Sequence, residues 1–247
     1  MKDINLLTIA SIGNNLRLKT VGIVFIIVTL VIAALLVILF CILLIEPAVS
    51  IASPDRADLE IYLGLVMYST CFLALGINLN SYGFQSMTRE KTRGNIESLL
   101  ATPIKIKDIW IAKGLAIFIP GLVIGEIFTL ITLIAVNYIY FVPSTGFIIN
   151  PWIVVSSFIA APLVYLCLGL LVYLIGLTGK PATGNIIAQI FLPVMINIVI
   201  QLILHTNILT PTSWSFAAAN IGLALVIIII TFFLQPRLTK EKIVLSC

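Results

Sequence analysis

The chain has 247 residues, of which 61% are hydrophobic and only 10% charged, with a formal net charge of +4. A soluble domain averages roughly 45–50% apolar and about 25% charged residues, so a soluble globular fold is excluded and the sequence reads as one integral membrane domain. The four cysteines, Cys41, Cys71, Cys167 and Cys247, have no close spacing, and three lie in apolar runs; neither a disulfide framework nor a metal site is expected.

The N-terminus, MKDINLLTIASIGNN, is too polar for a secretory signal. The apolar run that follows, Val21 to Ile45, exceeds the roughly 7–15 residues of a signal core and is read as a retained span. Within residues 1–20, Ile4, Leu7, Ile9, Ile12 and Leu16 recur loosely at helical spacing, which fits either a frayed tail or an amphipathic helix lying in the membrane interface.

Crossing a hydrocarbon core of about 30 Å at 1.5 Å per residue takes roughly 20 apolar residues. Six segments meet that length, at about 21–45, 61–83, 109–140, 152–177, 186–206 and 214–235, which predicts an all-α membrane fold of six transmembrane helices. The third is long enough to tilt, bend or protrude, and Pro120 within it supplies a reason for a kink. The connections 46–60, 141–151 and 207–213 are too short to build a domain, and the two halves show no sequence repeat that would support an inverted-repeat transporter.

Lys and Arg accumulate on the cytoplasmic side of membrane proteins. All but Arg56 of the 14 basic residues fall in the N-terminal stretch, the 84–113 region, the 178–185 connection or the tail, whereas Arg56 shares its loop with Glu46, Asp55, Asp58 and Glu60. Positive charge thus marks alternate connections. This predicts a multi-pass protein of the cell membrane with both termini in the cytoplasm.

Chemistry inside a membrane needs paired functional groups, and the chain offers one histidine and one mid-span acid. His205, near the far end of the fifth span, reads as a surface or capping residue. No GxxxxGK[ST] phosphate loop is present, so neither enzymatic activity nor nucleotide binding is expected of this polypeptide. Glu126 is the acid; burying it ionised costs at least a few kcal/mol, so it should face protein or water. Either it is functional, or it is a structural glutamate helped by Thr129, Thr132, Asn137 or a neighbouring helix. Gly121 and Gly125 nearby form a small-xxx-small pair that permits close helix approach. Asn78 and Asn80 lie near the end of the second span. In the fifth, Gln189, Asn197 and Gln201 are eight and four residues apart and share a helix face, with Pro193 between them. That face either lines a translocation path or hydrogen-bonds to another helix.

The longest polar stretch, SMTREKTRGNIESLLATPIKIKD (86–108), lies between the second and third spans. Thr92-Arg93-Gly94-Asn95 reads as a turn and helix start, with Asn95 able to cap. Ile96, Leu99 and Leu100 fall on one face, and Thr102-Pro103 ends the helix because the residue before proline avoids helical angles. Pro103 can in turn open the helix of the third span. The expected product is an amphipathic helix of about two turns over 95–101, either a solvated loop helix or one that inserts into a groove on a partner.

At these residues the chain resembles the permease subunits of ATP-binding-cassette (ABC) type-2 exporters. Their signature, roughly E-x-x-x-G-x-[ILT]-E-x-L-L-x-T-P, is matched by Glu90, Gly94, Ile96, Glu97, Leu99, Leu100, Thr102 and Pro103. Six spans, the signature between spans two and three, an N-terminal interfacial helix and the tail QPRLTKEKIVLS extend the likeness over nearly the whole chain. The resemblance implies that the short helix is a coupling helix docking on a separate ATPase subunit. Ile96, Leu99 and Leu100 would supply the apolar contact and Glu90, Arg93 and Glu97 its polar rim, while Gly94 would allow the turn and Pro103 fix the entry to span three. It further implies two permeases, identical or homologous, working with two ATPase copies that carry ATP and Mg, with lipid and not nucleic acid as the surroundings. The connection between spans five and six departs from relatives that carry re-entrant helices there. Two other readings stand beside this one: an ion-coupled transporter using Glu126 as its proton site, and a membrane anchor that recruits a cytoplasmic partner.

Overall fold

The computed structural model describes residues 2–16, 19–50, 55–80, 88, 90–91, 95–201 and 209–244, and all regular structure among them is helical. Six helices are long and apolar enough to cross a membrane. A helix satisfies its own backbone hydrogen bonds, which is what allows an apolar chain to cross lipid without exposing unpaired amides.

The boundaries move in ways that local chemistry explains. The first span, predicted to end at 45, runs on from Lys19–Phe40 through a π turn (Cys41–Ile45) to Val49. The second, predicted from 61, is Arg56–Asn78: Asp55 caps it, its Oδ1 accepting from the Ala57 amide at 2.9 Å. Much of the expected 46–60 loop is therefore helical. The third span is Ile106–Val136 with a π turn to Phe141, and Pro120 lies inside the helix. The fourth occupies Pro151–Thr178, capped by Asn150, whose side chain accepts from Trp152 N and donates to Glu60 Oε2, both at 2.9 Å. The fifth starts at Pro181, not 186, because proline is preorganised for a first helical turn. Gly184 then brings it close to the fourth span, since a Cβ there would strike the Val172 carbonyl. The sixth is Trp214–Leu234, continued by a 3-10 turn to Arg237.

The second and fourth spans form the centre. Of their apolar windows 78% and 67% is buried, against 17% for both the first and the fifth. The second packs on the first, third, fourth and fifth spans, and the fourth on the third, fifth and sixth. Aromatic rings brace the centre: Phe72 of the second span meets Tyr165 of the fourth edge-on at 4.5 Å, and Tyr68 of the second meets Phe216 of the sixth at 4.9 Å. The Tyr68 hydroxyl donates to Asn220 Oδ1 at 2.5 Å, linking the second and sixth spans. The third span lies against the second at Gly121, where any Cβ would collide with Asn78. The Asn78 amide donates to the Ile117 carbonyl at 2.7 Å.

The N-terminal stretch is a helix, Lys2–Leu16, packed on the third span. Its small polar residues face inward: Thr8 and Ser11 are buried, and Thr8 Oγ1 donates to Ile4 O and to Ala112 O. Leu6 and Ile9 are exposed instead, the arrangement expected where the outer face meets an apolar phase. This helix, the helix between spans two and three and the C-terminal tail gather at one end of the bundle, which carries most of the described basic residues.

Candidate functional site

The helix between the second and third spans is Asn95–Leu100, here called the loop helix. It ends as the Thr102-Pro103 pair requires: Ala101 N donates to Glu97 O, Thr102 N to Leu99 O, and Thr102 Oγ1 to Leu99 O at 2.6 Å. Pro103 does not open the next helix. The third span begins at Ile106 with Lys105 at its N-cap, and residues 101–105 make a separate turn between the two.

A six-residue helix is too short to be stable alone, so its packing decides its orientation. Ile96 and Leu100 are buried and Leu99 is half-buried, all three packed into the main hydrophobic core, whereas Glu97, Ser98, Ala101 and Pro103 are exposed. The apolar face expected to meet a partner is thus largely consumed inside the chain. The reason is proximity: Ile106, Ile109 and Leu177 of the third and fourth spans supply apolar surface directly beneath it.

Beneath the helix lies a cavity of about 230 Å³, walled by Ile96, Leu99, Leu100, Ile109, Leu177 and Ile243. Glu90 and Lys113 are at its polar end. Glu90, expected on the polar rim, is largely buried. Its Oε1 accepts from Lys113 Nζ of the third span and its Oε2 from Tyr173 OH of the fourth at 3.1 Å, with both ionic side chains largely buried. Next to it, Lys91 Nζ donates to Gly179 O at 2.6 Å, at the end of the fourth span. The segment preceding the loop helix is therefore tied to two spans by charge-assisted bonds, which are shorter and stronger than neutral ones. Arg93, Gly94 and the side chain of Asn95 lie outside the described residues, as does His205.

Sequence reasoning missed Lys113, Tyr173, Lys91, Lys240 and Ile243. A signal existed for Lys113, a lone cation several residues inside an apolar run, where a counter-ion is needed. Nothing local marks Tyr173 or Ile243.

The intramembrane polar residues do not form one site. Glu126 is half-buried on the third span and has no hydrogen bond or ion pair among the described residues. The expected helpers serve their own helix: Thr129 donates to Gly125 O, Thr132 to Phe128 O and Asn137 to Leu133 O. Asn137 Oδ1 accepts from Ile148 N at 2.7 Å, pinning the following connection. Gln189, Asn197 and Gln201 share one face of the fifth span as expected, with Pro193, but all are exposed and none is hydrogen-bonded among the described residues. The third and fifth spans pack on the second and fourth and not appreciably on each other, so Glu126 and the amides stay apart.

Fold and site together define an all-helical, multi-pass membrane protein with a tethered loop helix at one end. No protein-family model, curated protein or solved structure matches the chain.

Proposed function

We propose that this chain is the permease subunit of an ATP-driven exporter, paired with a second permease and served by two separate ATPase subunits that hold ATP and Mg. The observation that carries the reading is the loop helix, held to the third and fourth spans through Glu90 and Lys91 while Glu97, Ser98, Ala101 and Pro103 face outward. A helix anchored on its inner face and polar on its outer face suits the transfer of a partner's motion to the spans. In this reading Ile96 and Leu100 hold the helix in place, and Glu97, Leu99 and Pro103 meet the ATPase, with Arg93 and Gly94 shaping the turn before it. The basic end is cytoplasmic, which puts both termini on the cytoplasmic side of the cell membrane.

The fifth span supports pairing. Apart from Glu46 near the end of the first span, the large exposed side chains described for the first and sixth spans are aliphatic or aromatic and suit lipid, whereas the fifth exposes three amides that bond to none of the described residues. Amides in hydrocarbon lack partners, so this face meets a second permease or a water-filled path between the two. Purification from native membranes tests the whole: an ATPase subunit copurifies with the wild type and is lost from Glu97→Lys/Ala101→Asp, which still inserts. Equal recovery with the variant would remove the docking role.

Glu126 favours one other reading, because a half-buried carboxyl with no bonding partner among the described residues is the equipment of an ion-coupled transporter. Transport in reconstituted vesicles driven by a pH gradient without ATP, and lost in Glu126→Gln, would establish it.

A further inference from the structure

The last carbonyl of the loop helix, Leu100 O, has no amide partner within the helix, as at every helix C-terminus. It accepts from Lys240 Nζ at 2.8 Å, across 140 positions of sequence. A cation there also opposes the partial negative charge of the helix end. Three residues on, Ile243 is 1% exposed and walls the same cavity as Ile96, Leu99 and Leu100. Around it Lys240, Glu241, Lys242 and Val244 are all exposed, so the tail helix Lys240–Val244 is fastened through one buried side chain and one ammonium.

The tail helix is not a loose end. Its first turn is set by Thr239, whose carbonyl accepts from Ile243 N and whose Oγ1 accepts from Lys242 N at 3.3 Å. Leu238 before it is buried, and Leu238 N donates to Gln235 O in the turn that closes the sixth span. Only Leu238 and Thr239 separate that turn from the tail helix, so its position follows that of the sixth span.

We infer that the tail is a clasp that positions the loop helix and joins it to the sixth span, with Lys240 and Ile243 as the positioning residues. The covalent chain already joins the loop helix to spans two and three, and Glu90 and Lys91 join its approach to span four. The sixth span packs chiefly on the fourth, and the clasp gives it a direct hold on the docking element. The mechanical role rests on the permease reading; the contact itself does not.

Hydrogen exchange on the full chain in lipid nanodiscs tests the clasp without any partner. Lys240→Ala and Ile243→Asp are each expected to speed exchange of the amides of residues 96–101 on the order of tenfold, the cost of one lost bond or contact. Lys240→Arg should restore protection, and Val244→Asp, at an exposed neighbour, should leave it unchanged. Unaltered exchange in both Lys240→Ala and Ile243→Asp would overturn the clasp. In the assembled transporter Lys240→Ala should keep the ATPase bound but lower transport per ATP hydrolysed. If the loop helix loosens while the wild type recovers no ATPase, the permease reading fails and the clasp stands. If transport falls without loosening, the clasp fails.

Discussion

Lys113, inside the third span, donates to Glu90, 23 residues earlier in the chain, and the same carboxylate accepts from Tyr173 of the fourth span. One acid thereby joins the approach to the loop helix to two spans. Removing one partner of a largely buried pair leaves the other charge uncompensated, which costs far more than the intact pair contributes.

Glu90→Gln is accordingly expected to destabilise the protein by on the order of 3 kcal/mol, with Lys113→Met alone similarly harmful. The double variant should recover most of that loss, because two neutral groups leave no stranded charge. Thermal unfolding in detergent of the two singles and the double checks this; additive losses would mean that the pair does not act as a unit.

Gly121 and Gly125 offer a matched comparison on one helix face. A Cβ at Gly121 collides with Asn78, whereas at Gly125 its nearest contact is Ala74 Cβ at 3.5 Å. Gly121→Val should force the second and third spans apart at a cost of about 1–3 kcal/mol, and Gly125→Ala should be close to neutral. Equal effects on melting temperature would contradict the close approach at Gly121.

Tyr68→Phe removes the donor to Asn220 Oδ1 and leaves a buried amide oxygen unpaired. The expected loss is about 1–3 kcal/mol. Measured in an Asn220→Leu background, the same change should cost much less, since the oxygen is already gone.

Replacing Gln189, Asn197 and Gln201 together by Leu should leave the stability of the isolated chain unchanged, because these amides bond to nothing among its described residues. Transport in vesicles should fall, as should crosslinking between copies through a cysteine introduced at exposed Val194 in both backgrounds. A lower melting temperature with unaltered transport would assign the amides to folding instead.

Glu126→Gln should retain ATP-driven transport. Loss of that transport with the melting temperature unaltered would move Glu126 from the margin of the mechanism to its centre.

The helical class, the six spans and the short loop helix with its Thr102-Pro103 stop are legible in the sequence, because each depends on residues close together in the chain. Twenty apolar residues must satisfy their own backbone bonds wherever they lie, and the residue before a proline avoids helical angles, which stops a helix as short as Asn95–Leu100 although the longer third and fifth spans run past Pro120 and Pro193. Span ends were less legible where a capping side chain such as Asp55 or a proline such as Pro181 extended a helix beyond its apolar run. The amphipathic face of the loop helix was equally visible, but its direction was not. Ile96 and Leu100 turn inward because the third and fourth spans set apolar surface beneath them, and no local pattern distinguishes a face that packs on its own chain from one that packs on a partner. Glu90 likewise moved from an expected rim to a buried tie, since its partners stand 23 and 83 positions away. Tertiary structure alone decided where the fifth-span amides point and that the tail reaches the loop helix, because both depend on which helices lie side by side and not on the composition of any one of them.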